Sequence, residues 1–109
     1  MLDRDFRSVF AGILVLWYID NMNEHQDRLV EVERVQTGVR MEKHLLKVLK
    51  GLAELKDLTL GDLLEGIVLH AFEGNAPFSP GTLKEIEQLR SIYGLTLTAK
   101  DSHHLKERR

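Results

Sequence analysis

The 109-residue sequence has no cysteine. That excludes disulfides, thiolate nucleophiles and cysteine-ligated zinc, and it fits an intracellular protein. There are two prolines and neither comes before Pro77, so no proline interrupts a helix in the first two thirds of the chain. Long hydrophobic runs are missing too. The longest, Val9 to Ile19, falls short of the roughly 18 residues a membrane-spanning helix needs. The residues ahead of it mix Asp3 and Asp5 with Arg4 and Arg7, and no small-residue cleavage pattern follows, which argues against a secretory leader. The expectation is a cytoplasmic protein with no membrane partner. Nor is there an overall excess of positive charge: the formal net charge is −2, so any polyanion-binding site has to be local.

The usual signs of catalysis are also lacking. No nucleophile stands beside a base, no glycine-rich loop is set to cradle phosphate, and no paired carboxylates suggest a cleft, so neither enzymatic activity nor a cofactor is expected. Five histidines are present: His25, His44, His70, His103 and His104. None pairs with another at the i, i+4 spacing that zinc sites on a helix use, and no metal site is expected.

What the sequence does have is strong local patterning. Residues 36 to 56 carry a net +3, and residues 57 to 75 carry −4 with no lysine or arginine. The first 33 or so residues read as a helical extension with weak phasing, because the first half is apolar on every side and the second half mostly polar, with Leu29 and Val32 as a thin stripe. From Arg34 the period changes to two. Val35, Thr37, Val39 and Met41 alternate with Arg34, Gln36, Gly38 and Arg40, which predicts a half-buried strand with a polar, partly cationic outer face.

A helix is expected from about Lys43 to Lys56, with Leu45, Val48, Leu49, Leu52 and Leu55 on one side and Lys43, Lys47, Lys50 and Glu54 on the other. A second begins after Thr59, a capping residue followed three positions on by Asp62, and ends near Gly74. Leu60, Leu63, Leu64, Ile67, Val68, Leu69, Ala71 and Phe72 make it apolar around most of its circumference, so it calls for burial on more than one side. Gly66 in its middle is most easily understood if another backbone approaches closely there. A third helix runs from Ser79, its cap, through Pro80 at the first helical position to Gly94. After Leu97 the chain is mostly polar, with Thr98 and Asp101 as a candidate cap, and is expected to fray or to wait for a partner.

A lone strand leaves backbone donors and acceptors without a ladder, and a helix apolar nearly all round leaves hydrocarbon in water. Association of two copies about a twofold axis answers both, pairing the strands between chains and interlocking the second helices. Strand, amphipathic helix, short turn and capped helix within residues 34 to 74 resemble the ribbon-helix-helix family of dimeric DNA-binding proteins. The resemblance implies a mainly α fold with an intermolecular two-stranded ribbon and further helices at each end. The three segments would be an N-terminal extension (1–33), the ribbon-helix-helix unit (34–75) and a C-terminal helix and tail (76–109).

By the same resemblance, the ribbon enters the major groove of double-stranded DNA, with Gln36, Gly38 and Arg40 at the reading positions and Arg34 just outside them. An arginine can bridge guanine O6 and N7, and a glutamine adenine N6 and N7; Gly38 places no side chain at the central position. Phosphates would be held by the amides of Leu58, Thr59 and Leu60 at the start of the second helix, and by Lys43. Val39, Met41, Leu60, Leu64, Ile67 and Val68 would form the homodimer core. The implied function is that of a sequence-specific transcriptional regulator, a repressor in type.

Two alternatives stay open. Leu49 to Ile67 also fits a helix-turn-helix, although its second helix would turn Asp62 and Glu65 toward DNA and is too apolar to stand exposed. The other is an antitoxin-like interaction module whose C-terminal part binds a protein partner.

Overall fold

The computed structural model describes residues 29–108, and three α-helices are built among these residues. Among the described residues there is no β-strand. The chain divides into two compact units, and of the described residues 29–40 with Leu55–Asp57 belong to one and 41–54 with 58–108 to the other.

Helix α1 spans Lys43–Leu55. It starts because Glu42 caps it: the Glu42 carboxylate accepts from the Leu45 amide at 2.8 Å, and the Glu42 carbonyl accepts from the Leu46 amide at 3.0 Å. It stops because Asp57 turns into the left-handed region, with φ of 58°, while the Leu58 amide reaches back to the Ala53 carbonyl at 2.8 Å. That is the closing pattern of a helix end usually given to glycine.

Helix α2 spans Leu60–Phe72, with Thr59 as its cap accepting from the Asp62 amide at 3.1 Å. Gly74, at φ of 74°, follows its last turn. Helix α3 spans Pro80–Tyr93; Ser79 accepts from the Thr82 amide, Pro80 sits in the first turn, and Gly94 closes the helix in the left-handed region. The caps at Thr59 and Ser79 and the stop at Gly94 stand where the sequence places them.

The core of this helical body is small. Val48, Leu52 and Ala53 of α1 are buried together with Leu63 of α2 and Leu95 beyond α3. Leu49, Ile67, Phe78, Ile86 and Leu89 pack around the cluster of Leu52, Ala53 and Leu63. No neighbour approaches Gly66 within the single chain, while the side chains of α3 come close at Gly51. A Cβ at Gly51 would lie 3.2 Å from both Leu89 Cδ2 and Tyr93 Cε2, so α3 packs over α1 where a side chain is missing, whereas nothing lies within 4 Å of a Cβ at Gly66.

At the C-terminal end the candidate cap at Thr98 and Asp101 forms, and residues 102–108 beyond it are exposed and carry no helix or strand. Leu95 is buried, Arg90 Nη2 donates to the Leu97 carbonyl at 2.8 Å, and the Thr98 amide donates to Asp101 Oδ2 at 2.8 Å ahead of a short 3₁₀ turn, Ala99–Asp101. One buried leucine, one guanidinium clamp and one cap hold a stretch whose composition is largely polar.

Two elements expected in the N-terminal part are not seen among the described residues. Leu29 to Glu33 carry no helix, and the rest of the helix expected over 1 to about 33 lies outside the described residues. Leu29 is 93% exposed, and a stripe that buries nothing cannot hold a helix. Residues 34 to 41, expected as a half-buried strand, carry no regular secondary structure and are exposed through Arg40. The physical reason is the one that motivated a dimer: a single chain offers no neighbouring strand to complete a ladder.

Candidate functional site

The base-reading positions proposed from sequence, Arg34, Gln36, Gly38 and Arg40, are all exposed, as are the alternating apolar residues Val35 and Val39. Arg34 and Arg40 each take part in an interaction within the chain. Gly38 has nothing within 4 Å of a Cβ position.

In the helical body, the start of α2 offers its first-turn amides, but not all those expected. The Leu58 amide is committed to the Ala53 carbonyl and closes α1. The Asp62 amide is committed to Thr59. Helix geometry leaves the Leu60 and Gly61 amides pointing outward, at the positive end of the helix dipole. The carboxylates of Asp57 and Asp62, both exposed, stand in the same short stretch of chain. An anion at this end would be drawn by two amides and opposed by two carboxylates.

At the other end of the charge pattern, Lys43, Lys47 and Lys50 of α1 are exposed. Between them and the preceding segment stands Glu42, which sequence reasoning did not single out. Its carboxylate accepts from the Leu45 amide and lies 2.8 Å from His44 Nδ1, which must carry the proton in that contact. The His44 hydrogen bond, followed by that of the Leu45 amide, holds the Glu42 carboxyl below its ordinary pKa. The available signal was an acid directly ahead of an apolar-periodic run, although glutamate is not among the favoured capping residues.

The residues assigned to a dimer core differ in how far the single chain covers them. Met41, Leu60, Leu64 and Ile67 are half-buried, while Val68 and Val39 are exposed. On α2, Leu64, Val68 and Phe72 form one row at i, i+4 and i+8, beside the core-facing row of Leu63 and Ile67. Exposure rises along that row to 82% at Phe72. Leu69, 64% exposed, lies farther round. Phe72, which was not among the residues expected in a dimer core, lies one turn beyond Val68 in the same row.

A shallow cleft of about 260 Å³ lies between the start of α1 and the C-terminal segment, lined in part by Glu42, His44, Leu95, Leu97, Leu105 and Lys106. Among the described residues no cluster of three acids or histidines could hold a metal ion, and no helix is long and apolar enough to cross a membrane. The chain matches no protein-family model, no curated protein and no solved structure.

Proposed function

We propose that the chain is a dimeric, sequence-specific DNA-binding regulator of the ribbon-helix-helix type. The observation that carries this reading is the apolar row of Leu64, Val68 and Phe72 left uncovered on α2, in a chain whose period-two segment stands directly ahead of α1. A second copy would supply what each lacks: a strand for residues 34 to 41 and a surface for α2. In that assembly Gln36 and Arg40 read base edges, with Arg34 beside them, while Lys43 and the first-turn amides of α2 position the phosphates.

Light scattering on the full chain, with and without a random-sequence duplex at low and moderate salt, tests the reading. A dimer that gains mass on duplex and loses it as salt rises is the expected result. A monomer that ignores duplex would overturn it. With an operator in hand, Arg40→Ala should weaken specific binding by about 1–3 kcal/mol if Arg40 reads a guanine. An equal loss on every sequence would reduce Arg40 to a phosphate contact.

A further inference from the structure

The outer side of α1 carries a row of cations that base reading does not use. At 100° per residue, Lys43, Lys47 and Lys50 fall within about 60° of one another, on the side of the helix opposite buried Leu52. They spread three ammonium groups along about 10 Å of helix. No hydrogen bond or ion pair engages the ammonium group of any of the three among the described residues. The acid next to the row, Glu42, is taken up by the Leu45 amide and His44. The next acid on the same arc is Glu54, one turn past Lys50.

A solvated helix face commonly intersperses its signs, so that pairs at i, i+4 attract. Here like charges stand at i, i+4 and i+7, an arrangement that costs helix stability in the free protein and is relieved by an anion with regularly repeated charge. A duplex backbone has that property, one phosphate per 3.4 Å of axis on each strand. The acidic stretch that follows, from Asp57 to Glu73, confines the attraction to the α1 side.

Resting on the DNA-binding reading above, we infer that Lys47 and Lys50 extend the contact begun by Lys43 into a phosphate track along α1. The track adds affinity and salt dependence without reading sequence. It is separate from the α2 first turn, where Asp57 and Asp62 oppose an anion.

The test uses the full chain and a random-sequence duplex, with the observed binding constant followed across salt concentrations. Each phosphate contact contributes about 0.9 to the slope of log K against log salt, so Lys47→Gln with Lys50→Gln, removing four ammonium groups per dimer, should flatten it by about 3 to 4. Lys47→Arg with Lys50→Arg should restore it, and circular dichroism should report the same helix content for all three proteins. An unchanged slope in the double glutamine variant overturns the track, and leaves the DNA-binding reading standing if the wild-type chain still binds duplex and loses it as salt rises. A wild-type chain that binds no duplex even at low salt overturns both. Preferential binding of polyglutamate over duplex would assign the row to an acidic protein and also overturn the inference.

Discussion

Single residues at the helix junctions set where the elements begin and end, and two of them carry charge. Glu42 caps α1, and its carboxyl is held below the ordinary range by His44 first and the Leu45 amide second. A carboxylate whose pKa is lowered by folding adds stability above its unfolded pKa and loses it as pH falls through the folded value. The wild-type melting temperature should therefore fall faster than that of Glu42→Gln once pH drops below the ordinary glutamate value of about 4.3. Parallel curves for the two proteins would show that the contacts to His44 and Leu45 contribute nothing to folding. Asp57 presents a different case. It occupies the left-handed region at φ of 58°, where a side chain is disfavoured and glycine is not. Asp57→Gly should raise stability by about 0.5–1 kcal/mol, while Asp57→Val should lower it, both read from denaturant melts. The same glycine substitution removes a carboxylate from the stretch where phosphate contact is proposed, so duplex affinity should rise with it; a fall would count against the α2 first turn as a phosphate site.

The helices show where local chemistry was legible and where tertiary packing decided. Thr59, Ser79, Pro80 and Gly94 act through hydrogen bonds and dihedral preferences within a few residues of themselves, and such signals survive into the fold unchanged. Leu52 and Leu63 fall on the buried sides that their periodicity indicates. The glycines were different, because what a missing Cβ accommodates depends on a neighbour distant in sequence. Periodicity could not say that Leu89 and Tyr93 would cross α1 at Gly51, or that Gly66 would face open space in the single chain. The end of the chain divides the same way: the cap at Thr98 and Asp101 forms where the sequence places it and the polar residues after it are exposed, whereas the Arg90 contact to the Leu97 carbonyl depends on a neighbour seven residues away. The ribbon positions stay a matter of pattern, since a strand that pairs only with another copy has nothing to pair with in one chain. Gly51→Leu should cost about 1–3 kcal/mol by forcing side chains off Leu89 and Tyr93. Gly66→Ala should instead add roughly 0.5–1 kcal/mol of helix propensity to the folded chain. If Gly66 marks a close approach between copies, the same substitution weakens the dimer in sedimentation equilibrium, and that opposition between fold and assembly would locate the interface.

For the whole molecule, the decisive quantity is how much apolar surface one chain leaves uncovered. Five apolar residues are buried among the described residues, a modest core for some 80 residues, while Val68, Leu69 and Phe72 remain exposed on a single helix. A chain that folded alone would gain nothing from that row and would risk aggregation through it. A chain that folds as a dimer converts it into stability that depends on concentration, because association adds its free energy by mass action. Each tenfold increase in protein concentration then favours the dimer by about 1.4 kcal/mol. The melting temperature of the wild type should accordingly climb over a hundredfold range of concentration. Val68→Lys places an ammonium in the centre of the row, where burial against a second copy would cost several kcal/mol, yet in the single chain Val68 is already 42% exposed. That variant should therefore lose the concentration dependence and the dimer mass together. A wild type whose melting temperature does not move with concentration would mean that α2 carries its apolar row without a second copy, and the dimeric reading would fall with it.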